Sequence, residues 1–530
     1  MKDYARLLDA LLYTTSRNAK VRLLTEYFRH APDPDRGWGL AAITHELDIP
    51  SVKPGLIRDM IAARTDPVLF DYSYDYVGDL AETVSLLWPG DGQGGATPTL
   101  DEIVNTLRLV GREEAAVLVA GWLYRFDTTE RWAFLKLVTG APRVGVSSRM
   151  AKMAVAALGD LSVDDVEEVW HGLKPPYAGL FAWACGAGER PSTGDRLVFR
   201  PLMLATPLDE ADLAKLDPAD YVAEWKWDGI RVQLAARGGE ARLFSRTGDD
   251  ISAAFPDVVE AAAFDAVIDG ELLVGRDGDP FDPAPFNDLQ QRLNRKAVSK
   301  AMLRKHPAFV RAYDLLMADG EDLRGLPFAA RRARLEAWID KARPPRLDLS
   351  PVLDFDSWET ARALRAGAPP AVEGLMLKRA DSVYVPGRPK GPWFKWKRDP
   401  FTIDCVVMYA QRGHGKRSSF FSDYTFGLWR AADEGADELA PVGKAYFGFT
   451  DEELKQLDAW VREHAEARFG PVTQVEPSLV VEVAFDAVQR STRHKSGVAM
   501  RFPRFHRIRW DKPADEADRL ETLEALIEAG

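Results

Sequence analysis

The sequence predicts a multidomain protein with an all-α N-terminal domain, an α+β middle domain and a small β-barrel at the C-terminus. Three observations carry that expectation. At 530 residues the chain is about three domains long, at the usual ~150 residues each. Two breaks divide it, one rich in proline and glycine at 174–207 and one at Lys397-Arg398-Asp399-Pro400. The spacing of apolar residues also changes at each break.

From 1 to 195 the spacing is helical. Tyr4, Leu7, Leu8, Leu11 and Leu12 form the i, i+3, i+4, i+7 stripe of an amphipathic helix, and similar stripes recur around 101–138 and 148–170. From 201 to 398, short apolar runs alternate with Gly, Asp and Pro, and strands are expected at 221–227, 230–236, 241–245, 266–274, 309–317, 372–378 and 393–397. The remainder, 401–530, is strand-rich through 512, with runs such as IDCVVMYA and SLVVEVAF. Its size suits a small barrel.

Composition removes several classes of function. With 46% hydrophobic and 28% charged residues the chain is not a disordered polymer. No run approaches the ~18 apolar residues of a membrane helix, and the N-terminus mixes charge into its apolar positions, so neither a span nor a secretion signal is expected. Cys185 and Cys405 are too far apart for a paired-cysteine zinc motif, and both are expected to be small buried hydrophobes. A net charge of −12 argues against coating nucleic acid through uniform positive charge, but charge can be segregated.

Chemistry concentrates in EWKWDGIR, 224–231. Strand alternation puts Glu224, Lys226 and Asp228 on one face and turns Trp225 and Trp227 toward packing, while Gly229 lets the backbone pass close to a ligand. A lysine amine held beside acids can serve as a nucleophile for phosphorus. Further elements follow in a set order. SRTGDDISAAFPDV puts Arg246 in a turn, AVIDGELLV puts Asp269 and Glu271 on one strand face, and VRAYDLL carries Tyr313. VEGLMLKR carries Glu373 and Lys378 on opposite faces of a strand, PWFKWKRD puts Lys395 and Lys397 on one face, and MRFPRFHRIRWDK closes the series. The segment 487–512 has eight Lys or Arg against one acid, Asp511, interleaved with Phe502, Phe505, Ile508 and Trp510. One side of it can be buried while the other meets phosphate.

This series resembles the covalent nucleotidyltransferases, and within them the ATP-dependent DNA ligases. The segments 137–157 and 200–208 resemble the helical DNA-binding domain of the larger ligases and the start of their catalytic domain, and 411–429 and 485–505 resemble the bacterial branch. The resemblance implies domains at 1–195 (helical, DNA-binding), 201–398 (adenylation) and 401–530 (OB-fold). It implies that Lys226 attacks the α-phosphorus of ATP to form a lysyl-AMP, that the AMP passes to the 5′-phosphate of a nick, and that the 3′-hydroxyl displaces it. The amine must be neutral to attack, and deprotonating an ordinary lysine at pH ~7.4 costs about 4 kcal/mol, so Lys395, Lys397 and a metal are expected to ease that step.

By resemblance, Glu271 and Glu373 supply oxygen ligands for Mg²⁺ or ribose contacts, Tyr313 stacks on adenine, and Glu224 lies near adenine. Arg231 lies near the ribose or the nick phosphate, and Arg246 near a phosphate. Where relatives often carry an Arg, this chain has Pro389, so Arg388 or Lys390 takes that contact. Arg509, Asp511 and Lys512 are expected to close over the β,γ-phosphates, with Arg398-Asp399-Pro400 as the hinge. Lys378, on the strand face away from Glu373, is expected to be structural or to face DNA. The implied partner is nicked duplex DNA gripped through its backbone phosphates, and the implied state a monomer in the bacterial cytoplasm, at the nucleoid. An NAD-dependent ligase lacks support because the cysteine zinc motif is missing. A capping enzyme or RNA ligase is disfavoured by the ~200-residue helical segment, and a non-catalytic nick-binding scaffold by the retention of Lys226, Glu271, Glu373, Lys395 and Lys397.

Overall fold

A computed structural model describes the chain except residues 91–95, 141, 193–196, 277, 294, 296, 414–419, 433–436, 492–493 and 529–530. Through Ala184 the described chain is helical, from Lys2–Tyr13 to Ala178–Ala184. Local chemistry sets many of the helix ends. Thr99, Asp127 and Ser162 each cap a helix while the acid three residues on reaches back to the cap N–H, the reciprocal bonding of a capping box. Tyr4, Leu7, Leu8 and Leu11 are buried as their stripe predicts, but Leu12 is 50% exposed because it lies at the edge of that stripe.

The middle domain has seven principal strands. They are β1 (Tyr221–Trp227), β2 (Ile230–Arg237), β3 (Glu240–Ser245), β4 (Ala266–Arg276), β5 (Ala308–Ala318), β6 (Val372–Arg379) and β7 (Trp393–Lys397). They divide between two sheets. One runs Thr206–Pro207, β7, β6, β1, Val352–Leu353, and the other is built on the order β3, β2, β4, β5. The chain crosses from one sheet to the other at Asp228-Gly229. A Cβ on Gly229 would lie 2.6 Å from the Leu272 carbonyl oxygen and 2.8 Å from Glu271 Cγ, so only glycine allows this approach.

The C-terminal part contains β8 (Phe401–Arg412), β9 (Phe421–Arg430), β10 (Glu438–Ala445), β11 (Ala465–Phe469), β12 (Val472–Val475), β13 (Val480–Phe485), β14 (Ala487–Arg490), β15 (Val498–Arg501) and β16 (Arg504–Arg509). The long strand β8 pairs with β9 on one side and with both β12 and β13 on the other. The sheet therefore forks, and among the described residues no ladder joins its outer strands β10 and β16 into the expected closed barrel. Part of the segment 411–429 and of 485–505 falls outside the described residues. Two helices not anticipated, Asp451–Glu463 and Leu520–Glu528, pack on the sheet.

Cys405 is buried, as expected, but Cys185 is exposed, because it follows the helix Ala178–Ala184 at its outer end.

Helical and middle domains meet at the turn after β3. Gly248 has φ +89°, and a Cβ there would lie 2.2 Å from Cε1 of His171. Burial, with the Lys152 charge adding to it, pulls the His171 imidazole down to about 4 from the ordinary 6.5. A ring freed to solvent regains a proton near 6.5, so docking is favoured above that pH and the advantage is lost as pH falls toward 4. Lowering the pH from about 7 to about 5 should therefore speed limited proteolysis of the connection after Ala184, and His171→Phe should remove that dependence.

Candidate active site

The two sheets of the middle domain enclose a cleft of about 430 Å³, within the range of nucleotide-sized pockets. Of the residues singled out from sequence, Glu224, Lys226, Arg231, Arg246, Glu271, Tyr313, Glu373, Lys395 and Lys397 all line it. β1, β6 and β7 supply Lys226, Glu373, Lys395 and Lys397 from one sheet, and β2, β4 and β5 supply Arg231, Glu271 and Tyr313 from the other.

At the centre, the Lys226 ammonium donates to a carboxylate oxygen of Glu373, which also lies 3.4 Å from Lys397 Nζ. Burial alone would raise the Glu373 carboxyl, but Lys226, then Lys397 and Arg501, outweigh it and hold the group down at about 2. Across the cleft burial wins: Glu271 is pushed up to about 8 despite the Lys226 and Arg231 charges. Among the described residues Glu271 has no hydrogen-bond or ion-pair partner. The cleft thus holds one carboxylate fixed as an anion and another poised near neutral pH. Burial also lowers Lys395, with Arg388, Lys226, Lys397 and Arg246 adding repulsion.

The inner end of the cleft is a buried charge network. Glu224 is 1% exposed and pairs with Lys378 Nζ at 2.5 Å and Arg332 Nη1 at 2.6 Å. Burial raises the Glu224 carboxyl, and those two cations oppose the rise. Lys378 Nζ also lies 4.4 Å from the Tyr313 ring centroid and 4.8 Å from that of Trp393, within cation–π range.

This placement corrects the strand face expected for Lys378, which is 1% exposed and lies on the cleft side together with Glu373. The cause is a bulge. Val372 pairs with Trp227 but Leu375 pairs with Trp225, so β6 advances three residues while β1 advances two. Gly374 sits in the bulge at φ +140°, where a Cβ would meet the Trp396 carbonyl oxygen at 2.2 Å. One extra residue reverses the parity of every side chain beyond it.

Arg231 is also more constrained than expected. It bonds bidentately to Asp269 at 3.0 and 2.6 Å and donates to the Met203 carbonyl at 2.7 Å and to the Tyr384 hydroxyl at 3.2 Å. Four of its five N–H groups are committed to the protein, so it shapes the wall more than it offers a fork to a ligand. Arg388 is exposed and does not line the cleft, although its charge acts on Lys395.

The structure does not bring Arg509, Asp511 and Lys512 to the cleft. Arg509 bonds Asp404 at 3.1 Å and Asp511 at 3.0 Å, and Lys512 bonds Asp404 at 2.8 Å. The C-terminal domain is turned so that the β14–β15 hairpin faces the cleft instead, presenting Arg501 and Phe502. Arg501 donates to both oxygens of Asp228, one at 2.7 Å, and its guanidinium lies 4.1 Å from the Phe286 ring centroid. Sequence reading missed Arg501 as a cleft residue. Its signal was the basic, aromatic-rich segment, which does not say which of its arginines points where.

Comparison with known proteins bears directly on this geometry. Residues 202–397 match the family model described as ATP dependent DNA ligase domain, and 417–512 match ATP dependent DNA ligase C terminal region. A probable DNA ligase of Koribacter versatilis is 30% identical over 99% of this chain and 96% of its own length. The chain belongs to the ATP-dependent DNA ligase family. DNA ligase 1 of Korarchaeum cryptofilum is likewise 30% identical over the whole of this ligase and 98% of its own length. In fold alone, the ligase is similar to the solved structure Pmar-Lig_Pre, at 18% identity and a TM-score of 0.62 over 96% of this chain and 99% of that one. Joining DNA strands with ATP is thus the activity of this enzyme, and no described helix is long and apolar enough to cross a membrane.

Proposed function

We propose that Lys226 is the nucleophile of this ligase, forming a lysyl-AMP that is passed to the 5′-phosphate of a nick and displaced there by the 3′-hydroxyl. One observation carries the reading: the Lys226 amine shares a single nucleotide-sized cleft with Glu271, Tyr313, Glu373 and Lys395. Attack forms an N–P bond and expels pyrophosphate, and the cations Lys395 and Lys397 lie beside Lys226, where charge develops on the phosphate oxygens. Glu373 orients the amine through its hydrogen bond, and Tyr313 offers its ring to adenine, with Glu224 and Lys378 at the polar end of that pocket.

Mg²⁺ suits the donors present. Both candidate ligands, Glu271 and Glu373, offer hard oxygens, and Mg²⁺ usually takes only one or two carboxylates together with phosphate. Glu271, without a protein partner among the described residues, keeps its oxygens available. When bound, the ion would neutralise phosphate charge during transfer.

The boundaries 1–195, 201–398 and 401–530 follow the two sequence breaks, and the forked C-terminal sheet is read as an OB-fold. In the present orientation that domain contributes Arg501 to the cleft, so adenylylation requires it to swing about Arg398-Asp399-Pro400 and bring Arg509, Asp511 and Lys512 to the triphosphate. We read the enzyme as a monomer whose three domains surround nicked duplex, acting on the genome in the cytoplasm. Arg501→Ala should lower sealing of a nick about 30-fold or more, the low end of the ~2–5 kcal/mol cost of truncating one partner of a buried charge pair, and leave adenylylation within about three-fold. Single-turnover assays of the two steps measure the difference.

Intact mass after exposure to ATP and Mg²⁺ tests the central reading. One added AMP that maps to Lys226 supports it, whereas an adduct on another residue refutes it.

A further inference from the structure

A second cavity, of about 660 Å³, lies outside the cleft, between the helical domain and the middle domain. The helix Ser148–Ala156 lines it with Ser148, Arg149 and Lys152, and the turn after β3 lines it with Arg246, Thr247 and Asp249. Glu46, Glu167 and His171 complete its charged and titratable wall, with His45 at the rim.

Pairing these charges leaves a remainder. Glu46 accepts from Trp170 Nε1 and the Tyr177 hydroxyl, both at 2.6 Å. Glu167 accepts from Arg149 Nη1 at 2.6 Å, and Arg149 also bonds Asp164 at 3.1 Å. Asp249 accepts from the hydroxyls of Ser245 and Thr247. His171, with its pKa near 4, is neutral at physiological pH. Lys152 and Arg246 remain, and among the described residues neither has a hydrogen bond or ion pair.

Lys152 is the more telling of the two. It is 7% exposed, and its ammonium sits 4.8 Å from the Trp170 ring centroid with no anion in contact. Taking an ammonium out of water without an anion is costly, and surrounding desolvation lowers its pKa accordingly. A buried cation of this kind, facing a roomy polar cavity with an unpaired guanidinium on the opposite wall, is organised for an anionic ligand.

We infer that this interdomain cavity is a phosphate-binding site in which Lys152 meets the phosphate from the helical domain and Arg246 meets it from the middle domain. The hydroxyl of Ser148 provides a neutral donor of the kind a tetrahedral oxyanion uses. Because Arg246 lines both this cavity and the nucleotide cleft, a bound phosphate would tie the helical domain to the reaction centre. The phosphate is either a backbone group of the DNA, a source that rests on the ligase reading, or a free anion.

Two titrations of the full-length protein separate these sources. Thermal unfolding in rising sodium phosphate, at ionic strength held constant with chloride, reads the free anion. Binding of a nicked duplex across roughly 50 to 200 mM salt reads the backbone phosphate. Lys152→Met should weaken nick binding about ten-fold and make the salt slope shallower by about one, or else abolish stabilisation by phosphate, and Lys152→Arg should restore whichever is lost. Loss in the duplex arm assigns the site to DNA, and loss in the phosphate arm alone assigns it to a free anion. Adenylylation of Lys226, read by intact mass, stays at the wild-type extent in both cases, so failure of this site is distinguishable from failure of the ligase reading. An unchanged slope together with an unchanged phosphate response overturns the proposal. Should the Met protein not fold, Lys152→Gln is read in the same way.

Discussion

A Lys226→Arg ligase should take up no AMP from ATP, with overall sealing reduced on the order of 10⁴-fold or more, as when a nucleophile that acts within a catalytic unit is removed. Arginine is the demanding substitution here. It keeps a positive charge opposite Glu373 and so leaves that carboxylate paired in place, but a guanidinium does not give up its proton at any working pH and has no lone pair to offer phosphorus. An effect limited to lost positioning would leave measurable adenylylation. The third step does not call on the Lys226 nitrogen for a bond, so the same protein should close a nick already carrying AMP on its 5′-phosphate within about ten-fold of the wild-type rate, ten-fold being about 1.4 kcal/mol. Gel assays with ATP plus nick, and with the adenylylated nick alone, measure both halves. Equal loss in the two would show that Lys226 holds the cleft together and is not the attacking group.

The middle domain was the most legible part of the sequence. Several of its strands are buried on both faces, so short apolar runs bounded by Gly, Asp and Pro marked each of the seven, and six motifs fixed which of them carry the charged positions. What failed there failed at a bulge. The parity argument that set Lys378 apart from Glu373 assumed a regular strand, and a glycine at φ +140° between them was enough to invert it. The C-terminal domain was legible as strands but not as a placement, because the orientation of one domain on another depends on a few contacts such as Arg501 with Asp228, which leave no local periodicity. For the same reason the segment 487–512 could be read as basic and amphipathic without showing that Arg501 rather than Arg509 would face the cleft. The interdomain cavity gave no sequence signal at all, since Lys152 and Arg246 come from different domains.

Glu224→Leu should destabilise the enzyme by about 3–5 kcal/mol, the usual cost of removing one partner from a buried charge pair. Glu224 is the shared anion of Lys378 and Arg332, and all three are buried. Without it, Arg332 keeps Glu336 at 2.7 Å and the Ser350 carbonyl at 2.6 Å, whereas Lys378 has no other bonded anion among the described residues and is left with the aromatic rings around it and the more distant charges of Asp314 and Asp269. The loss should therefore come mainly from Lys378, and a Glu224→Leu/Lys378→Met double variant should recover most of the stability of the single one, because removing both charges leaves no ammonium stranded among Tyr313, Phe328 and Trp393. Activity should not follow stability. Both groups lie at the polar end of the pocket assigned to adenine, so the double variant should remain folded with a raised KM for ATP. Denaturant unfolding and adenylylation kinetics on the four proteins of this cycle provide the check. If Glu224→Leu unfolds at the wild-type midpoint, the Glu224–Lys378 contact contributes nothing to the fold, and the reading of this end of the cleft as a buried charge network is wrong.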